Sequence, residues 1–220
     1  MKNNIQTNDV CYLINGEPVK FYYSHDDEGY HICGQWNGSN ITELYIPDTI
    51  NGKPVVWVDG DTYDCMFKLE RIVVSREHKY FATVDGALYS KDMKTLFWYP
   101  TKRRDKVCIL PKGVVTVADS ALSNPYVEII VLPEGTEWVY SYGMAGARNL
   151  RDLYVPISMK QFMFKAALGC ISLKNIYYEG TEDDWKNVDL SDENFNYALA
   201  DAKMHYSCKI PTSVQELDEI

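Results

Sequence analysis

The sequence predicts a β-rich solenoid, in which short coils of chain stack on one another and share one continuous apolar core. Two observations support this prediction: a segment pattern that returns about every 23 residues, and a 46% share of hydrophobic residues in a chain of 220. One such unit cannot bury its apolar face alone, so neighbouring units must stack. We therefore expect about six coils in a single solenoid domain, residues 1–220.

The strand of each coil follows one template, with apolar residues at the first, fourth and sixth positions and proline at the seventh. Pro133 and Pro156 stand 23 residues apart, and Glu179 takes the proline position after another 23. Strands from successive coils should lie side by side in one parallel sheet. The six segments that fit the template are 41–47, 69–74, 108–111, 127–133, 150–156 and 173–179.

The return part of each coil carries a second repeated signature, a small residue followed by an apolar or a second small one. These pairs stand ten and eleven residues after the proline position, where they would pack beneath the strand. They predict that each return segment closes tightly on the core. The pairs are Ala121-Leu122, Gly143-Met144 and Ala166-Ala167.

One segment interrupts the period. Residues 81–89 and 95–100 are β-rich and are joined by turn-forming residues 90–94, which predicts an inserted β-hairpin. The predicted divisions are an N-terminal β-rich cap (1–40), first coils (41–75), the hairpin insertion (76–106), later coils (107–179), a C-terminal cap (180–210) and a disordered tail (211–220).

The charge balance excludes several classes of partner. With 22 basic and 31 acidic side chains the net charge is −9, and no clustered basic face suggests nucleic-acid binding. No apolar run approaches the ~20 residues that a membrane span requires. The first ten residues lack the apolar stretch of a signal peptide. We therefore expect either an internal protein or a segment cut from a longer precursor.

No constellation of residues predicts catalysis, a metal or a cofactor. The six cysteines are 22 or more residues apart, so they form no zinc motif, and Cys108 and Cys170 lie in apolar settings typical of reduced core thiols. The acidic loop between His25 and His31 and the run from Asp59 to Asp64 are best interpreted as turns. We predict no catalytic, cofactor-binding or metal-binding residue, and hence no enzyme.

Several motifs in order resemble the leucine-rich repeats of the BspA type, found mostly in bacteria. They are residues 46–55, 83–92 with 96–100, and 177–185, and the resemblance covers about residues 30–208. That family usually has an alanine-phenylalanine pair in each coil. Here the pair is replaced by Thr62-Tyr63, Gly143-Met144 and Ala166-Ala167. The resemblance implies a right-handed, curved leucine-rich repeat solenoid with its parallel sheet on the concave face and without catalytic residues. It also implies export to the cell surface and adhesion, whereas the lack of a visible signal peptide leaves a cytoplasmic location open.

A partner could bind along the outward face of the sheet. Side chains alternate between the two faces of a strand, so one residue of each template strand joins a row across the sheet. Exposed tyrosines favour protein binding, although strand propensity alone also explains them. A carbohydrate-binding module using the tyrosines, and a structural self-associating repeat, are the alternatives. The predicted partner-binding row is Tyr45, Val73, Ile109, Val131, Tyr154 and Tyr177.

Overall fold

The computed structural model of the chain describes residues 6–14, 17–35, 42–58, 68–191 and 195–218. It divides into two compact units. The first unit comprises residues 1–92 and 100–102, and the second comprises residues 93–99 and 103–220. No cis peptide bond occurs among the described residues.

The first unit begins with an antiparallel arrangement and continues with two coil strands. In its larger sheet the strand order is β1-β2-β3-β6-β5. The coil strands β4 and β7 pair in parallel, with Leu44 opposite Ile72, and both of these side chains are buried. The strands are β1 (Gln6–Ile14), β2 (Glu17–His25), β3 (Tyr30–Gln35), β4 (Glu43–Tyr45), β5 (Thr49–Ile50), β6 (Lys53–Val58), β7 (Arg71–Val73), β8 (Phe81–Val84) and β9 (Ala87–Ser90).

Both runs of the predicted hairpin insertion contain strands, and the first run holds two of them. The antiparallel pair is β8 with β9, which places both strands inside the run 81–90. The turn between them has Asp85 and Gly86 at positive φ, a turn pair that reverses the chain within two residues. The run 81–89, predicted as one strand, is therefore divided into two by the turn at Asp85-Gly86, and residues 95–98 of the second predicted run also form a strand.

The second unit contains the later coils, and each coil contributes a strand to two parallel arrangements. The longer strands form a five-stranded sheet in the order β11-β13-β15-β17-β18, and the two-residue strands β12, β14 and β16 follow one another beside β10. The strands are β10 (Thr95–Trp98), β11 (Val107–Ile109), β12 (Thr116–Val117), β13 (Ile129–Val131), β14 (Trp138–Val139), β15 (Asp152–Val155), β16 (Gln161–Phe162), β17 (Asn175–Tyr178) and β18 (Lys203–His205).

The register of the five-stranded sheet agrees with the predicted 22- and 23-residue offsets. Cys108 lies opposite Ile130, Ile130 opposite Leu153, and Leu153 opposite Ile176, all with buried side chains. Apolar residues therefore form a continuous inward row from coil to coil, as a stacked repeat requires.

The return segments pack as their small residues predicted. The side chains of Met144, Ala166 and Ala167 are fully buried. A Cβ at Gly143 would lie 2.7 Å from Val139 Cγ1 and 2.9 Å from the Tyr140 carbonyl oxygen, so that position admits only glycine. Cys108 and Cys170 are buried free thiols, as predicted, and burial raises the pKa of each to about 12.

After the last predicted coil, the described residues contain three short helices: α1 (Glu182–Trp185), α2 (Tyr197–Ala200) and α3 (Val214–Asp218). Thr181 and Asp184 form a reciprocal capping box at the start of α1, and the first turn of this helix is acidic. Residues 214–218 are helical where a disordered tail was predicted, because Glu216 accepts hydrogen bonds from Thr212. Among the described residues, none of the helices has the length and apolar character that crossing a bilayer requires.

Candidate functional site

In the first unit, the predicted row contributes Tyr45 and Val73, which lie opposite each other on β4 and β7. Tyr45 is 38% exposed and Val73 is half-buried. Beside them Arg71 Nε lies 2.7 Å from Glu43 Oε2, an exposed ion pair that contributes little to stability. Val73 also lines a shallow cavity of about 360 Å³ together with Arg71, Thr83 and Asp85.

In the second unit, the register brings the other four predicted residues into one row, but their exposure differs. Ile109, Val131, Tyr154 and Tyr177 occupy successive positions on β11, β13, β15 and β17. Ile109 and Tyr177 are half-buried, whereas Val131 is fully buried and Tyr154 is only 6% exposed. The expectation of an exposed row is thus wrong at Val131 and Tyr154. Alternation along a strand fixes the face of a side chain, but not what its larger neighbours cover.

The row ends in a stack of three rings. The Tyr154 and Tyr177 ring centroids are 4.6 Å apart at an interplanar angle of 14°, and Tyr177 and His205 repeat this arrangement at 4.7 Å and 14°. Both faces of the Tyr177 ring are therefore covered, one by each neighbour. The parallel strand spacing of about 4.8 Å enforces this stacking of flat side chains.

A polar network lies next to the ring stack. It includes Asp152 and Asn175, which stand two residues before Tyr154 and Tyr177 on the same strands. Asn175 Nδ2 donates to Asp152 Oδ1 at 2.8 Å, and His205 Nε2 donates to Asn175 Oδ1 at 3.1 Å. Arg151 Nε donates to Asp152 Oδ2 at 2.8 Å, so both oxygens of the buried Asp152 carboxylate have donors. The network fixes the side chains of Asp152, Asn175 and His205, because each of them has a defined partner.

Burial and charge perturb the two tyrosines of the stack in the same direction. Desolvation is the main cause of a raised pKa at both Tyr154 and Tyr177, and the negative charge of Asp152 adds to it. Both hydroxyls therefore stay protonated and able to donate a hydrogen bond well into alkaline solution.

Comparison with known proteins places this arrangement in a structural class. No protein-family model matches the chain, and no curated protein matches it. Among solved structures, a leucine-rich repeat protein from Eubacterium ventriosum matches with a TM-score of 0.53 at 20% identity, covering 62% of this chain and 36% of that protein. The chain has the leucine-rich repeat fold.

Two further solved structures have lower structural similarity to the chain. The pneumococcal vaccine antigen PcpA matches with a TM-score of 0.40 at 17% identity, covering 79% of this chain and 56% of that protein. A leucine-rich cell surface protein from Faecalibacterium prausnitzii matches with a TM-score of 0.38 at 19% identity, covering 70% and 52%. The chain thus spans about a third of the Eubacterium protein and about half of the other two.

Sequence reasoning missed the last strand of the leucine-rich repeat sheet. β18 pairs in parallel with β17, which places His205 opposite Tyr177 and adds it to the row. The two residues are 28 apart in sequence, because α1 and α2 lengthen the preceding return segment beyond the usual 23. The alternation of Lys203, Met204 and His205 was the available signal, since Met204 continues the inward row at Ile176.

The remaining predicted turns give no sign of a metal site. Asp26 Oδ1 accepts hydrogen bonds from the backbone amides of Glu28 and Gly29, and Asp26 Oδ2 lies 3.1 Å from His31 Nε2. This is an Asx-type turn, as the sequence suggested. Within the described residues no group of three His, Cys, Asp or Glu side chains is placed to hold a metal ion. The run from Asp59 to Asp64 and the His25 side chain lie outside the part that the structure describes.

Proposed function

We propose that the protein is a non-enzymatic interaction scaffold that binds a protein partner through the outward row of its five-stranded parallel sheet. The observation that carries the proposal is the stack of Tyr154, Tyr177 and His205, in which Tyr177 and His205 are half-exposed. Aromatic side chains dominate binding hot spots. Rings already held by their neighbours lose little further freedom when a partner binds, which favours affinity.

The six residues of the predicted row have different roles in this proposal. Tyr177 and Ile109 are accessible enough to touch a partner, and His205 joins them. Val131 and Tyr154 are buried and support the row from within. Tyr45 and Val73, in the first unit, form a separate patch whose contribution can be measured independently.

Ring geometry favours a protein partner over a carbohydrate at this row. A sugar binds aromatic residues by lying on a free ring face, but neighbouring rings cover both faces of Tyr177. Ring edges and hydroxyl groups remain available, and these suit hydrogen bonds and side-chain packing from a protein. An adhesin-like role with a host protein as partner is the more specific form of the proposal, and self-association is its main rival.

Affinity capture tests the proposal. The wild-type chain and the Tyr177→Ser/His205→Ser variant are immobilised and exposed to host extracellular proteins and to the lysate of the source cell. We expect a protein that wild type retains and the variant loses, while Tyr140→Ser, an exposed tyrosine outside the sheet, retains it fully. Tyr45→Ser reports on the first unit in the same assay.

The outcomes separate the alternatives. Equal capture by the double variant and wild type would contradict the proposal, provided that circular dichroism shows both to be folded. Retention of glycans rather than proteins would favour a carbohydrate-binding module. A molar mass that rises with concentration in light scattering, and falls in the double variant, would identify a second copy of the chain as the partner.

A further inference from the structure

A second aromatic cluster lies in the second unit, away from the five-stranded sheet. It consists of Tyr142, Phe164, Lys165 and Phe195, called here the Lys165 group. The Phe164 and Tyr142 rings meet edge-on, with their centroids 6.1 Å apart. The Phe164 and Phe195 centroids are 4.8 Å apart, at an interplanar angle of 65°. The Lys165 Nζ lies 4.7 Å from the Phe164 centroid, 5.0 Å from that of Phe195 and 5.7 Å from that of Tyr142. Three rings thus hold one ammonium group.

The two phenylalanines of this group are open to solvent. Phe164 is 41% exposed and Phe195 is 38% exposed, and Tyr142 and Lys165 are half-buried. Their edge-to-face contacts leave part of each ring surface uncovered, unlike the parallel stack in the sheet. Adjacent exposed aromatic side chains of this kind mark interaction surfaces more often than isolated ones do.

The backbone gives a second, independent observation. Tyr142 and Lys165 occupy equivalent places on successive coils, with φ values of 58° and 57°. Ser120 occupies that place on the coil before Tyr142, with φ 55°. Glycine or asparagine adopts this left-handed conformation with less strain than a tyrosine or lysine. The chain therefore keeps two large side chains at positions where the backbone favours glycine or asparagine.

Charge identifies what the group can bind. Four other lysines of this unit form ion pairs with carboxylates, whereas no ion pair joins Lys165 to any carboxylate of residues 68–191 and 195–218. Contact with three rings positions the ammonium without using its three N–H donors as hydrogen bonds. The ion-paired lysines are Lys106, Lys160, Lys186 and Lys209.

We propose that the Lys165 group binds an acidic peptide segment of a protein partner, in which a carboxylate adjoins apolar side chains. The carboxylate accepts hydrogen bonds from Lys165 Nζ, and the apolar side chains pack on Phe164 and Phe195. Charge complementarity selects the partner, because an acidic residue satisfies the ammonium while a basic one is repelled. The group belongs to return segments and to the region before α2, so this site is independent of the row in the sheet.

The test uses the full chain and a defined probe, a fluorescein-labelled, N-acetylated and C-amidated peptide of sequence Glu-Phe-Glu-Phe-Glu. We expect fluorescence anisotropy to show saturable binding that Lys165→Asn weakens at least tenfold. Lys112→Asn, at an exposed lysine of the same unit, should leave affinity unchanged. A peptide with glutamine in place of glutamate should also bind at least tenfold more weakly. Asparagine suits the backbone of position 165, so Lys165→Asn should remain folded.

Three results would overturn the inference. The first is equal binding by wild type and Lys165→Asn, and the second is equal binding of the glutamate and glutamine peptides. The third is saturable binding of an acidic polysaccharide such as polygalacturonate without binding of the peptide, which would change the class of ligand. If the first result came with a loss of binding in Tyr177→Ser/His205→Ser, the peptide would bind at the sheet instead.

Discussion

The two aromatic clusters of the second unit contain similar residues but offer different surfaces. In the sheet, Tyr154, Tyr177 and His205 are stacked in parallel, so their faces contact one another. In the Lys165 group the rings meet edge-on and their shared neighbour is a cation. Parallel strands impose the first arrangement, whereas return segments and the chain before α2 bring together the second.

This difference indicates what each cluster contributes. A stack with covered faces stabilises the sheet and leaves only edges and hydroxyl groups for a partner. A group with open faces and a positioned ammonium contributes little to stability and more to recognition. Ring orientation, more than the number of aromatic residues, therefore decides between a structural and a binding role.

Truncating one ring in each cluster should show the largest difference between them, measured as loss of unfolding free energy. Tyr154→Ala removes a buried ring and should lower the free energy of unfolding by about 3 kcal/mol, because the stack cannot collapse into the space. Phe164→Ala, at an exposed ring, should lower it by no more than about 1 kcal/mol. Urea unfolding followed by circular dichroism measures both. Equal losses in the two variants would contradict the distinction between a structural and an exposed cluster.

The polar network beside the stack should give the next largest effect. Asn175→Ala deprives the buried Asp152 carboxylate of one donor and His205 of its acceptor, which should cost about 1 to 2 kcal/mol. Gln161→Ala is the matched control, since Gln161 Nε2 donates to Asp189 Oδ2 at 2.7 Å on the exposed surface. We expect the control to change the unfolding free energy by less than about 0.5 kcal/mol. A cost at Gln161 as large as that at Asn175 would show that burial is not the cause.

Where the 23-residue period is regular, much of the fold was predictable from the sequence. The inward row, including Ile130 and Leu153, and the small residues of the return segments occupy their predicted places, because stacked coils must repeat the same contacts. The burial of Val131 and Tyr154 was not predictable, since alternation does not reveal how neighbours cover a side chain.

Other features were hidden by departures from the period or by distance along the chain. The helices α1 and α2 lengthen the step to His205 beyond 23 residues, which concealed the last strand. The turn at Asp85-Gly86 was overlooked, because it lies inside a run that has the composition of one continuous strand. The Lys165 group joins residues from two coils and from the chain before α2, and no local pattern signals such a cluster.

Alkaline solution offers a way to sharpen the contrast. The unfolded chain ionises Tyr154 and Tyr177 near pH 10, whereas their pKa values are raised in the folded protein, mainly by burial. Above pH 10 the folded state therefore binds more protons than the unfolded state, and the free energy of unfolding falls as pH rises. The contribution is complete below pH 10 and is lost as pH rises through the folded pKa values.

The measurement is the urea midpoint between pH 9 and pH 11. We expect the Tyr154→Phe/Tyr177→Phe variant to lose stability less steeply than wild type over this range. Burial also raises the pKa of Tyr99 and Tyr178, so some slope should remain. An unchanged slope in the variant would mean that the stacked tyrosines ionise equally well in both states.

The smallest expected effect concerns Lys165 itself and separates backbone strain from the aromatic contact. Ser120→Asn and Lys165→Asn place the same residue at equivalent left-handed positions, with φ 55° and 57°. Relief of strain should raise the unfolding free energy of Ser120→Asn by about 0.5 kcal/mol. Lys165→Asn gains the same relief but loses its contact with three rings, worth about 0.5 to 1 kcal/mol, so its net change should be near zero or slightly negative.

The difference between these two variants, followed by urea unfolding, therefore reports the strength of the cation–π contact. If both variants are stabilised equally, the ammonium gains nothing from the rings in the folded protein, and the aromatic residues do not hold it in place. If Lys165→Asn is instead destabilised by more than about 2 kcal/mol, Lys165 is a structural residue. A small difference, together with a large loss of peptide binding, is the result expected of a side chain kept for recognition at a position where the backbone prefers asparagine.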